Sequence, residues 1–299
     1  MPLLSPGVRY MLLSTLFFAL LNVCVKLLPH LPPLEIIFFR SVLSLALSYG
    51  ALRQARVQPW GQPQSRFYLL SRGTTGALAL VLYFYTLQTM PLASAVTIQY
   101  LAPIFTAVLG IFIVKEKVQP WQWVFFLLSF GGVVLVKGVD TRIEPLYLAM
   151  GVASAVFSGL SYNSIRKLGG REHPMVIVLY SQLVVVPFSA VYCLLHWTMP
   201  VGWQDWGVLL LTGIFTQLSQ VYKTKAYQAG PLASISSLDY LGILYALGLG
   251  FTFFGETFGL PSYAGMALVL LGVALNAAYT FRQSRRPVPA VPVVEEVAT

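Results

Sequence analysis

Apolar residues form long runs along this chain, and polar residues are concentrated in the short stretches between the runs. Each run is close to the ~20 residues that a helix needs to cross a ~30 Å hydrocarbon layer. We therefore predict an all-α integral membrane protein with ten transmembrane helices, at residues 8–28, 34–52, 67–87, 92–114, 121–136, 145–165, 175–197, 206–227, 232–254 and 262–281.

One part of this pattern occurs twice, 140 positions apart. Residues 88–135 align without a gap on residues 228–275, and 14 positions are identical. Several of the shared residues are polar, glycine or proline, so common hydrophobicity does not explain the match. With the offset increased by one, Asn22 pairs with Asn163 and Lys26 with Lys167. The repeat predicts two five-helix units, 1–139 and 140–281, followed by a disordered cytoplasmic tail, 282–299.

Five is an odd number of spans, so the second unit is predicted to cross the membrane in the opposite orientation to the first. Inverted repeats are typical of secondary transporters, which alternate between outward-open and inward-open packings of their halves. A duplication that serves only the stability of a channel or scaffold is the alternative. Glu116 and Glu256 follow the fourth and ninth spans at opposite faces. We interpret them as interfacial caps or loop anchors rather than transport residues.

Charge strengthens the membrane assignment and indicates an orientation. Only 10% of residues are charged, against about 25% in soluble proteins. With the N-terminus inside the cell, 15 of the 19 lysines and arginines fall on the cytoplasmic side, as the positive-inside rule requires. We predict a multi-pass protein of the plasma (inner cell) membrane with both termini in the cytoplasm. The net charge of +9 then needs no nucleic-acid partner.

Ionisable residues within a span are costly unless they face protein or water, so each is a candidate for function. Arg40, Lys223 and Asp239 are the main candidates, whereas Lys26 and Glu35 lie close enough to a boundary to reach it. Lys223 and Asp239 flank the AGPLAS turn at similar depth. They form either a structural ion pair or a site in which Lys223 binds an anionic group and Asp239 holds or exchanges a proton or cation.

The first repeat lacks these charges, since Tyr83 stands opposite Lys223 and Gln99 opposite Asp239. A symmetric fold with an asymmetric lining suits a polar solute, and the excess of cations favours a carboxylate or phosphate on it. Arg40 either binds that anion or ties helices together. The remaining substrate-binding candidates, which also suit helix packing or interhelical hydrogen bonds, are Tyr100, Tyr240, Gln220, Asn22 and Asn163.

Catalytic and metal motifs are missing from the sequence. It contains no HExxH, GxxxxGK[ST] or GxSxG, and the three histidines are far apart at predicted helix ends. Cys24 and Cys193 fall in different spans and are predicted to be packing residues. We therefore expect no cofactor, no metal and no enzyme activity, with a membrane-embedded enzyme as the weakest alternative.

Three segments resemble the EamA family of the drug/metabolite transporter superfamily. They are PLEIIFFR with Arg40, MPLASAVTIQYLAPIFTAVLGIFIVKEK, and GPLASISSLDYLGILYALGLGFTFFGE. The resemblance implies a ten-span carrier with inverted five-span repeats and a cavity between the halves, without identifying the substrate. We expect an exporter or exchanger of a small polar metabolite, such as an organic acid, amino acid or nucleotide-type compound. Its partners would be the bilayer, that solute and a coupled proton or counter-substrate.

Overall fold

Helices make up nearly all of the chain that the structure describes. The computed structural model describes residues 6–113, 115, 119–139, 143–168, 171–229 and 241–284. Within these residues the α-helices are α1 (Pro6–Lys26), α2 (Pro33–Gln54), α3 (Arg66–Thr89), α4 (Leu92–Gln99), α5 (Ala102–Ile113), α6 (Pro120–Val139), α7 (Pro145–Leu168), α8 (Pro174–Leu195), α9 (Gly202–Ala229), α10 (Leu241–Phe254) and α11 (Leu260–Ser284). The predicted all-α class is confirmed.

Proline marks the beginning of many of these helices. Pro33, Pro120, Pro145 and Pro174 each occupy the first helical position of their helix. A proline is favoured there because the first turn leaves its N–H groups unpaired in any case, and the ring presets a helical φ angle. These prolines therefore separate consecutive helices without weakening them.

Six of the described helical segments are long and apolar enough to cross a membrane, and three shorter apolar helices accompany them. Large side chains face outwards on these helices: Leu127 is 72% exposed and Leu194 is 85% exposed. Such a surface suits lipid rather than water. The total of ten spans stays a prediction.

Helix packing follows a two-fold pattern between the repeats. Helices α1, α2 and α3 of the first repeat correspond to α7, α8 and α9 of the second. The contact of α3 with α7 accordingly has its counterpart in the contact of α9 with α1, and the contact of α2 with α9 has its counterpart in that of α8 with α3. The same exchange relates α5 on α7 to α10 on α1, while α2 contacts its own counterpart α8 and α6 contacts its own counterpart α11. This set of contacts therefore exchanges in pairs between the two repeats. The main core cluster contains residues of both repeats.

The fourth predicted span, residues 92–114, agrees with one apolar candidate span, Leu92–Ile113, but its helix is broken into two, which corrects the single helix expected there. Helix α4 ends at Gln99, α5 begins at Ala102, and Tyr100 and Leu101 form the turn between them. Pro103 explains the break, since proline has no N–H to donate to the carbonyl of Gln99. Broken helices of this kind border the binding sites of many secondary transporters. The equivalent residues of the second repeat, 230–240, lie outside the described residues.

Helices α6 and α11 approach each other through glycine. A Cβ atom on Gly132 would lie 2.6 Å from the carbonyl oxygen of Gly265, and a Cβ on Gly265 would lie 2.7 Å from that of Gly132. Small residues allow such close backbone contact between membrane helices, where dispersion contacts replace the hydrophobic effect. The contact depends on glycine at both positions.

Adjacent glycines of α6 provide a test of this contact. Gly132→Ala is expected to destabilise the protein by about 1–3 kcal/mol, because its methyl group would overlap the α11 backbone. Gly131→Ala is the matched control, since a Cβ there meets nothing within 4 Å. Thermal unfolding in detergent should show a lower Tm for the first variant and an unchanged or higher Tm for the second. Equal shifts in both would contradict the contact.

Candidate functional site

Phe18 of α1 contacts both Tyr83 and Lys223, which occupy equivalent positions in the two repeats. The rings of Phe18 and Tyr83 stack with centroids 6.2 Å apart and planes 6° from parallel. The Nζ atom of Lys223 lies 5.8 Å from the centroid of the same Phe18 ring. Tyr83 and its counterpart Lys223, predicted from the sequence to line the cavity, therefore meet at one aromatic side chain between the two repeats.

Polar atoms are left without partners beside this ring. Asn22 lies one helical turn from Phe18 on α1, and its side chain is next to the Tyr83 hydroxyl without the geometry of a hydrogen bond. Asn22 and Tyr83 are only 2% and 4% exposed, yet neither Asn22 Oδ1 nor the Tyr83 hydroxyl has a hydrogen-bond partner. Buried polar atoms are almost always paired. The two unpaired atoms therefore mark a place where a bound solute or water can complete the hydrogen bonding.

Arg40 adds a buried cation close by. Its guanidinium carbon lies 5.3 Å from the centroid of Phe84, the residue that follows Tyr83, and its side chain is 5% exposed. Its Nε atom has no hydrogen-bond partner, and within the described part of the chain Arg40 forms no ion pair with a carboxylate. The cation–π contact offsets part of the cost of burial. The remaining donors are suited to an anionic group.

Two of the predicted site residues hold helices together. Gln99 accepts a hydrogen bond from Ser154 Oγ and donates one to Ser158 Oγ, both at 2.9 Å. Asn163 Nδ2 donates at 2.9 Å to the carbonyl oxygens of Thr106 and Gly159, although its Oδ1 atom has no partner. Both side chains fix α7 against the broken helix pair α4 and α5. This favours the packing interpretation of these residues.

The other predicted residues differ in what surrounds them. Tyr100 lies at the break between α4 and α5, and its hydroxyl occupies the space that a Cβ on Gly242 of α10 would need. Gln220 is half-buried on α9, three residues before Lys223. Asp239 and Tyr240 lie outside the described residues, so their place in the site stays a prediction.

Sequence reasoning missed the aromatic and hydroxyl residues that complete the site. Phe18 and Phe84 carry no polar atom, so only their spacing from Asn22 and Tyr83 could have indicated them. Ser41 of α2 has a buried hydroxyl group without a hydrogen-bond partner. Serine and threonine usually return such hydroxyls to their own helix, which is why the sequence alone gives no signal.

Lys26 and Glu35, expected close enough to a membrane boundary to reach it, each have a partner from the second repeat. Lys26 Nζ lies 2.6 Å from Glu256 Oε1 and donates to the Met90 carbonyl oxygen at 2.6 Å. Glu35 is fully buried and accepts the N–H of Thr198 at 3.2 Å. Whether either side chain also reaches the boundary stays a prediction.

Two smaller expectations agree with the structure. Glu256 caps a helix, since its carboxylate accepts the N–H of Leu92 at the start of α4, while Glu116 lies outside the described residues. Cys24 and Cys193 are free and buried.

Comparison with known proteins identifies the chain's relatives. The EamA-like transporter family matches residues 5–138 and 145–278. The pseudopaline exporter CntI of Pseudomonas aeruginosa is 31% identical over 279 residues, which cover 92% of this chain and 97% of that protein. Human solute carrier family 35 member G1 is 28% identical over 297 residues, covering 93% and 79%. These names indicate a transporter rather than an enzyme.

One solved structure also matches along most of its length. A protein crystal structure superposes with a TM-score of 0.69 at 19% identity, covering 94% of this chain and 99% of that chain. This match concerns the fold alone.

The unpaired hydroxyl of Tyr83 can be tested without knowledge of the solute. Tyr83→Phe is expected to leave the Tm of the ligand-free protein unchanged, because no hydrogen bond is lost. Ser154→Ala is the control, since Ser154 Oγ donates to Gln99 and to the carbonyl oxygen of Ala79, and its loss should cost about 1 kcal/mol. The Tm values of the two purified variants, measured by thermal unfolding, test this expectation. A comparable decrease in the stability of Tyr83→Phe would mean that the Tyr83 hydroxyl already has a hydrogen-bond partner.

Proposed function

We propose that this chain, which belongs to the EamA-like transporter family, is a secondary-active carrier that moves a small polar metabolite across the cell membrane by alternating access. One observation carries the proposal: Asn22 and Tyr83 keep buried polar atoms without partners beside the stacked Phe18 and Tyr83 rings, which Lys223 of the second repeat also meets. Arg40 adds a second cation against Phe84, the residue that follows Tyr83. A site at that position can be exposed to either face when the repeats rock against each other.

The chemistry of the cluster favours an anionic or zwitterionic solute. Arg40 and Lys223 supply positive charge, and Asn22 and Tyr83 offer an amide and a hydroxyl to neutral polar groups. Phe18 and Phe84 provide ring faces for an apolar part. An organic acid, an amino acid or a nucleotide-type compound fits these groups. The relative in Pseudomonas aeruginosa is named as an exporter, which supports outward movement of the solute or its exchange.

The architecture of the carrier follows from the repeat. We propose ten spans in two inverted units, 1–139 and 140–281, with the tail 282–299 and the N-terminus both in the cytoplasm. The positive-inside distribution of lysine and arginine supports this orientation. A coupled proton or counter-substrate would drive the transport, and Asp239 is the candidate to hold that proton or cation.

Counterflow distinguishes the carrier from a channel or scaffold. A thermal-shift screen of the purified protein against organic acids, amino acids, nucleotides and cationic drugs would first identify a ligand. Proteoliposomes preloaded with that ligand should then accumulate labelled ligand transiently and saturably. Flux that is linear in concentration and without counterflow would favour a channel. Stabilisation by cations alone would contradict the anionic preference.

Two neighbouring lysines test the charge that binds the solute. Lys223→Gln should weaken binding of an anionic ligand by about tenfold or more, since a charge-assisted hydrogen bond contributes roughly 1.5–3 kcal/mol. Lys225→Gln is the matched control, because Lys225 is exposed two residues further along α9 and should bind the ligand as the wild type does. The Kd of each variant for the ligand is measured by ligand-dependent thermal shift or by calorimetry. An unchanged Kd in Lys223→Gln would remove this lysine from the site.

A further inference from the structure

A second polar cluster closes the end of the molecule at which α1 ends. Lys26 Nζ binds Glu256 Oε1 and the Met90 carbonyl oxygen, each at 2.6 Å. Both carboxylate oxygens of Glu256 lie 2.9 Å from the backbone nitrogen of Leu92. We call Lys26, Met90, Leu92 and Glu256 the latch. Three of its members belong to the first repeat and Glu256 to the second, so the latch joins the two halves.

The latch is shielded from water. The Glu256 side chain is 7% exposed and that of Lys26 is 16% exposed. The Phe254 ring, with its centroid 5.3 Å from Lys26 Nζ, covers the ammonium group. Breaking a shielded ion pair leaves charges without partners unless water reaches them. Separation of the latch therefore requires an opening through which water can reach the charged groups.

The latch lies directly beyond the candidate site on one helix. Phe18, Asn22 and Lys26 are spaced by four residues, so they share one face of α1. At 1.5 Å per residue, Lys26 is about 6 Å beyond Asn22 and about 12 Å beyond Phe18 along the helix axis. The latch therefore lies between the candidate site and the face at which α1 ends.

The backbone of α10 aims Glu256 at this position. Helix α10 ends at Phe254, Gly255 adopts a φ of +61°, and the N–H of Glu256 returns to the carbonyl oxygen of Gly250. A left-handed residue after a helix favours glycine. Helix α10 also packs against α1 and α4, the helices that supply Lys26 and Leu92 to the latch. Movement of α10 away from them must break the latch.

We propose that the latch is the gate between the site and the face at which α1 ends, closed in this structure and opened whenever solute passes that face. This gate rests on the carrier function proposed above. Its closed form holds the two repeats together on one side of the site. Opening exchanges the Lys26–Glu256 pair for water, so the pair sets how often the site is exposed there.

Thiol labelling measures the gate without a known solute. Asn22→Cys, in a Cys24→Ser and Cys193→Ser background, places a reporter one turn below the latch. A membrane-impermeant maleimide is applied to intact cells and to inverted vesicles. Glu256→Gln and Lys26→Met each remove one charge of the pair. Each should raise the labelling rate by about fivefold or more, the lower end of typical coupling between sites, and only from the α1-end face.

Two further variants test whether the effect belongs to the latch. Lys26→Arg keeps the charge and should keep the low labelling rate. Asp205→Asn alters another contact between the repeats at this face, in which Asp205 Oδ2 lies 2.6 Å from His30 Nε2. It should leave labelling low. The gate would be overturned if the latch variants were labelled at the same rate as the protein with an intact latch. It would also be overturned if Asp205→Asn raised the labelling rate as much as the latch variants do.

Folding and the carrier proposal are checked separately. Size-exclusion profiles and Tm values identify any variant that does not fold, and Lys26→Met leaves the Glu256 contact with Leu92 in place, so one charge-removing variant keeps the helix cap. Wild-type counterflow without any change in labelling would reject the gate and keep the carrier. Increased labelling in a protein without counterflow would keep the gate and reject the carrier.

Discussion

Polar groups within a membrane protein must find partners inside the protein, because the surrounding hydrocarbon offers none. Among the described residues, Gln99 meets that demand through interhelical hydrogen bonds to two serines of α7. Arg40, Asn22 and Tyr83 each keep a buried atom without a partner, as do Asn163 and Ser41. What distinguishes Asn22 and Tyr83 is that their unpaired atoms lie beside the Phe18 ring, which Lys223 also contacts.

Much of this fold was predictable from the sequence because the bilayer restricts it so strongly. The lengths of the apolar runs predicted the helices, and the alignment of residues 88–135 on residues 228–275 predicted the two repeats. Pro103 and the turn at Tyr100 were not recognised, since the apolar run continues through them and hydropathy does not register a missing N–H. The bounds of the helices followed from prolines such as Pro145, whose position in the first turn is a local effect.

Side-chain positions were harder to predict than the helices, for a physical reason. Lys26 and Glu35 were expected at the boundary because long polar side chains near helix ends often extend to it. Their partners, Glu256 and Thr198, are 230 and 163 residues away along the chain, so only tertiary packing reveals them. Lys223 and Tyr83 were selected because the repeats differ there, and Phe18, invisible to that comparison, is the residue that unites them.

The helix contacts are equivalent in the two repeats, whereas the side chains at the candidate site differ between them. These two properties serve different purposes. Interhelical contacts exchange under the two-fold relation between repeats, so two rocked arrangements can use equivalent contacts and differ little in energy. A lining with the same symmetry would present the same groups to both faces and would recognise poorly a solute with one charged end. In the proposed carrier, Tyr83 and Lys223, which both contact Phe18, would give the solute one preferred orientation in either arrangement. A duplicated scaffold with unlike linings therefore allows the movement to stay balanced while the recognition stays specific.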